Sequence, residues 1–127
     1  MNSKQKGTRG EHEIESILLR YGFYAHRNDQ IFKGGKNNPD VFASLSGKSF
    51  HVEVKRVEKL NISAAMAQAS RDAGPNAMPV VAHRKNRESW LITIPLIELL
   101  ELLKERKLIP DEREASGRET ESGQSAG

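Results

Sequence analysis

From Gly10 the apolar residues Ile14, Ile17, Leu18 and Tyr21 recur at helical spacing, and Gly22 supplies a stop. Phe23 to Arg27 is short and aromatic, as a strand would be, and Asn28 to Pro39 has the Gly, Asn and Pro density of a loop. Val41 to Ser44 predicts a second strand, Ser46-Gly47 a turn, and Ser49 to Lys55 a third strand. Alternation in that third strand sends Phe50, Val52 and Val54 to one face and His51, Glu53 and Lys55 to the other.

Either Asn61 or Ser63 can cap a second helix, whose stripe of Ile62, Ala65, Met66, Ala69 and Ala73 is narrow and made mostly of small residues. "GPNAMP" breaks it, and "VVAHR" and "SWLITI" predict two further strands joined by the basic turn Arg84 to Glu88. Pro95 suits the first turn of a last helix, with Glu98 and Glu101 early and Lys104, Arg106 and Lys107 late, as the helix dipole favours. Its leucines and Ile97 cover more than one core-facing stripe, which a second subunit would explain. The predicted order is a helix, three strands forming an antiparallel meander, a helical crossover, two strands and a helix. This is an α/β fold with a mixed sheet. Residues 1–9 are expected to form a mobile basic arm, 10–110 one domain, and 111–127 a disordered acidic tail.

Composition narrows the function classes. The chain has 127 residues and no cysteine, so disulfides, thiolate metal sites and cysteine nucleophiles are excluded. It has neither an apolar run of membrane-spanning length nor a signal-peptide core, so a soluble cytoplasmic protein is expected. The formal charge of +3 rises to +6 once the acidic tail from Asp111 is set aside. A basic domain of this size favours a polyanion, most often nucleic acid.

Three carboxylates stand out against that basic background. Glu11 lies on the same helical stripe as Ile14 and Leu18, where an acid is unusual unless something satisfies it. Asp40 follows Pro39 at a strand entrance, and Glu53 sits mid-strand on the face of Lys55. If the first helix packs across the sheet at its start, all four side chains converge. Clustered buried carboxylates repel one another, and a divalent cation removes that cost. Oxygen ligands without sulfur or paired histidines point to Mg²⁺ or Mn²⁺, an ion able to lower the pKa of water and stabilise charge on a phosphodiester. Taken singly, each residue also has a plain reading: a solvated Glu-x-Lys pair, a turn aspartate, a dipole-favoured glutamate.

The "PD" of Pro39-Asp40 and the "EVK" of Glu53-Val54-Lys55 resemble the PD-(D/E)xK nuclease superfamily. Within it, the chain is similar to archaeal-type Holliday junction resolvases and their phage-borne relatives. "KGTRGEHE" aligns Glu11 with that family's first catalytic acid, and "YGFYAHR" resembles its Gly-Phe strand ending in an arginine, here Arg27. The likeness spans roughly residues 4 to 94. It implies a restriction-endonuclease-like αβββαβ core. Asp40, Glu53 and the Val54 carbonyl would ligate Mg²⁺ or Mn²⁺, with Glu11 acting directly or through water, and Lys55 would serve the nucleophile. The family acts as a homodimer on four-way DNA junctions, which would give the apolar last helix a purpose. Two departures stand out. The loop from Asn28 to Pro39 is longer than in the archaeal enzymes and lacks their serine. "QASRD" also lacks the tyrosine that RecB-type exonucleases carry four residues after the position of Gln68.

DNA phosphates would be met by Lys4, Lys6, Arg9, Arg27, Lys33, Lys36, Arg84, Lys85 and Arg87, while His51 and Gln68 could support the site from behind. Three functions fit in descending order: a junction-resolving endonuclease, a restriction-like or repair nuclease acting on duplex ends, nicks or flaps, and a non-catalytic DNA-binding module. A pure binder has no use for carboxylates facing DNA.

Overall fold

A computed structural model describes residues 3–28 and 38–111. Two compact units divide the chain, Met1–Ile94 and Pro95–Gly127. The boundary falls inside the 10–110 span expected as one domain.

In the first unit, helix α1 (Ser3–Arg20) leads to strands β1 (Tyr24–Arg27), β2 (Val41–Leu45) and β3 (Lys48–Arg56). Helix α2 (Ile62–Ala73) then crosses to β4 (Met78–Arg84), and β5 (Leu91–Thr93) closes the sheet. The strands lie in the order β1-β2-β3-β4-β5, antiparallel except for the parallel β3–β4 pair that the α2 crossover permits. The expected meander, crossover and mixed sheet are all present.

Local chemistry sets the boundaries. Gly22, at φ +89°, ends α1, and the Phe23 amide bonds back to the Leu18 carbonyl. Ser46 and Gly47 both have positive φ, which makes the tight β2–β3 hairpin turn. Of the two candidate caps for α2, Asn61 is the one used, its side chain accepting from the Ala64 amide at 3.0 Å.

Two predicted details change. Residues from Ser3 onward are already helical, so Lys4, Lys6 and Arg9 ride on the first turns of α1 instead of a separate mobile arm. Apart from Gly7 that stretch is rich in good helix formers, and nothing in it breaks the helix. Tyr21, expected on the apolar stripe, lies past the helix end and is exposed. Residues 112–127 of the expected disordered tail lie outside the described residues, as do 29–37 of the loop before Asp40.

The core has two layers around the sheet. Val54 packs toward α1, where Gly10 faces it so closely that an added Cβ would stand 3.2 Å from Val54 Cγ1. By alternation Val52 shares that face with Val54, as do Val41 and Ala43 by strand register, and all are buried. On the opposite face Ala65 and Ala69 of α2 pack on Val81, with Leu60, Ile62 and Met66 around them. Small side chains let α2 lie close to the sheet.

In the second unit, α3 (Leu96–Glu105) follows Pro95, which stands at its N-cap. Lys104 pairs with Glu101 one turn back at 3.1 Å. None of its residues is buried, and Leu96 and Ile97 are 67% and 65% exposed.

Candidate active site

Strand β3 is the middle strand of five, which is why its polar residues are buried. The β2–β3 register pairs Val41 with Val52, and one step further places Asp40 opposite Glu53. There the two strands part: β3 runs on to Arg56 while β2 has ended. In place of a strand partner, Asp40 Oδ2 accepts the Val54 amide at 2.9 Å. The charge of Glu11, on α1, bears on both Asp40 and Glu53.

Asp40 and Glu53 are hydrogen-bonded and feel the charges of Glu11 and Lys55, whereas the group whose ligand atoms lie within 4.8 Å of one another among the described residues is His51, Glu53 and Asp72. Helix α1 covers the Val54 face, whereas His51, Glu53 and Lys55 lie on the α2 face.

The three carboxyls settle differently. Burial pushes Asp40 from 3.8 up to about 7, aided by the charges of Glu53 and Glu11 and opposed by the Val54 amide. Burial would also raise Glu53, but hydrogen bonds with His51 and Asp40, and the charges of His51 and Lys55, outweigh it and hold Glu53 below its ordinary 4.5. Glu11 is raised by burial, with Arg27 opposing. Near neutrality Glu53 is the charged member of the pair, and Asp40 shares its proton with it.

His51 is only 4% exposed, and its Nε2 lies 2.7 Å from Glu53 Oε1. Gln68 is exposed on α2. Arg27 bonds Glu11 Oε1 through Nη2 at 3.3 Å, and its backbone amide donates to Glu15 Oε2 at 2.8 Å. Through the Glu11 contact it braces the first acid. Arg84 departs from expectation. Its Nε and Nη2 both donate to Glu13, its Nη1 donates to the carbonyls of Lys85 and Glu88, and its guanidinium lies 5.4 Å from the Trp90 ring centre. These bonds give it a structural role, joining α1 to the β4–β5 connection. Lys4, Arg9, Lys85 and Arg87 are exposed and Lys6 is half-buried, while Lys33 and Lys36 lie outside the described residues.

Sequence reasoning missed Glu13, Trp90 and Asp72. Trp90 Nε1 donates to Glu13 Oε2 at 2.9 Å, completing the Arg84 brace. Asp72, in the last turn of α2, brings its carboxylate within 4.8 Å of His51 and Glu53 ligand atoms. A signal was available. Asp72 follows Ala65 and Ala69 at i+7 and i+3, an acid on a buried stripe, as Glu11 is.

Comparison with solved structures places the fold. The chain is similar to Hjc of Archaeoglobus fulgidus, a Holliday junction resolvase from an archaeal hyperthermophile. The match has a TM-score of 0.54 and 24% identity, and covers 68% of this chain and 73% of that one. With the five-stranded mixed sheet and three helices, this defines a restriction-endonuclease-like α/β fold. The family model described as "Phage putative PDDEXK endonuclease" matches residues 2–122, nearly the whole chain. The protein belongs to this phage PDDEXK endonuclease family and is a nuclease of the PD-(D/E)xK superfamily. No curated protein matches it. Among the described residues no helix is long and apolar enough to cross a membrane.

Proposed function

We propose that the protein is a divalent-cation-dependent endonuclease that resolves four-way DNA junctions by paired nicks, in the cytoplasm of a prokaryotic cell or an infected host. The observation that carries this is the pair of half-buried Asp40 and buried Glu53, hydrogen-bonded to each other, with Asp40 pushed up to about 7. The donor set fits a hard cation: oxygen ligands of net negative charge, no sulfur, and Lys55 close enough to lower Glu53. Asp40, Glu53 and the Val54 carbonyl would hold Mg²⁺ or Mn²⁺, with Glu11 acting directly or through water. The ion's chemistry there is to offset charge developing on the phosphodiester.

The chain's own residues do the rest. Arg27 fixes Glu11, the Val54 amide fixes Asp40, and the Lys55 ammonium orients the attacking water and steadies the phosphate. Exposed Lys4, Arg9, Lys85 and Arg87 hold the DNA backbone. The exposed leucine-rich α3 supports a homodimer, which would place two sites on opposing strands.

Asp40→Asn and Glu53→Gln should each abolish cleavage of a synthetic junction in Mg²⁺ while junction binding in a gel-shift assay stays near wild type. Undiminished cleavage by either variant would overturn the assignment.

A further inference from the structure

We infer that His51, Glu53 and Asp72 form a second divalent-cation site, on the α2 side of Glu53, suited to a first-row transition ion such as Mn²⁺ in preference to Mg²⁺. The inference takes its catalytic meaning from the nuclease reading above, but ion binding can be tested without it.

One ligand atom from each of the three residues falls within 4.8 Å of the other two. His51 and Glu53 are 4% and 6% exposed, so two of the donors are already stripped of water. They come from adjacent positions on one strand face, while Asp72 comes from a different layer, at the end of α2. Ala65 and Ala69 allow that helix to approach closely enough for Asp72 to reach the sheet. The Asp72 carboxylate makes no hydrogen bond or ion pair with another described residue.

The donor chemistry differs from that on the other side of Glu53. There the ligands are all oxygens, the set that hard Mg²⁺ accepts. Here an imidazole joins two carboxylates, and imidazole nitrogen favours first-row transition ions. Glu53 belongs to both sets, since one of its oxygens meets His51 and its carboxyl also meets Asp40. A carboxylate placed between two donor sets is how paired-metal phosphodiesterases hold their ions. The position four residues after Gln68, noted above for its missing tyrosine, is the one that Asp72 occupies.

The test is Mn²⁺ binding to the full chain without DNA. Stoichiometry comes from the electron paramagnetic resonance signal of free Mn²⁺, and imidazole ligation from nitrogen couplings in pulsed spectra. Wild type should bind a second Mn²⁺ per chain with a nitrogen coupling. Asp72→Asn should bind one ion fewer, and His51→Gln should lose the coupling, both with an unchanged circular dichroism spectrum. Asp40→Asn should keep the nitrogen-coupled ion, and millimolar Mg²⁺ should displace the uncoupled ion first. A wild-type protein without nitrogen coupling, or an Asp72→Asn variant with unchanged stoichiometry, would overturn the inference. If Asp40→Asn removed all bound Mn²⁺, a single site centred on Asp40 would stand and the second would fall. If wild type bound no Mn²⁺, both this site and the cation-dependent reading would fall.

Discussion

Asp40 is the residue at which folding and function pull apart. Its folded value of about 7 lies above the ordinary 3.8, so between those pH values the native protein holds a proton that the unfolded chain has released. Stability on this account falls as pH rises through that window, because the native state binds more protons there than the unfolded state does. Asp40→Asn removes the charge and keeps an oxygen for the Val54 amide. It should raise Tm by several degrees at pH 8, and the gain should shrink toward zero near pH 4, as scanning calorimetry across pH would show. Adding Mg²⁺ at pH 8 should raise the wild-type Tm and leave the Asn variant nearly unmoved. Cleavage by the wild type should weaken as pH drops below about 7, where the proton on Asp40 competes with the cation. Glu53 behaves oppositely. Its depressed value contributes stability above the unfolded pKa, which is lost only as pH falls through the folded one.

At the scale of elements, the site depends on how closely α1 approaches β3. Gly10 sets that distance: a Cβ there would lie 3.2 Å from Val54 and 3.3 Å from Trp90 Cη2. Gly10→Ala would gain roughly 1 kcal/mol of helix propensity and lose about 1–3 kcal/mol to overpacking. Stability should therefore change little, while Glu11 shifts and cleavage drops, which paired urea melts and cleavage rates would show. Glu13→Ala is the contrasting case. It strips Arg84 and Trp90 of their shared acceptor, and should cost about 2 kcal/mol in urea unfolding.

The elements themselves were legible because alternation and helical spacing are local signals. They gave the strands, the face shared by His51, Glu53 and Lys55, and the anomalous Glu11. Partners far apart in the chain were not legible. Glu13 meets Arg84 and Trp90 across more than seventy residues, so Arg84 read as a surface cation. The face that α1 covers was also beyond reach, since alternation tells two faces apart without saying which helix lies on which. Asp72 lies on the face that α2 covers, so its place beside His51 and Glu53 is a tertiary fact that no local pattern carries.

For the molecule as a whole, two kinds of exposed surface bear on binding. Lys4, Arg9, Lys85 and Arg87 present exposed positive charge on the first unit. Binding through such contacts should weaken steeply with salt, and Lys85→Ala/Arg87→Ala should flatten the slope of log K against log salt by about 2. In the second unit α3 presents Leu96, Ile97, Leu99 and Leu100 to its surroundings. Ile97→Arg should shift the protein to monomer in sedimentation and convert paired nicks into single ones.

Together these parts would make a cation-dependent, structure-selective nuclease. Competing a synthetic four-way junction against linear duplex of the same sequence, in Mg²⁺ and in chelator, tests it most directly. The expected result is symmetrical nicks in opposing strands of the junction, little cutting of the duplex, and no product in chelator. Equal cleavage of both substrates, or cleavage that survives the chelator, would contradict it.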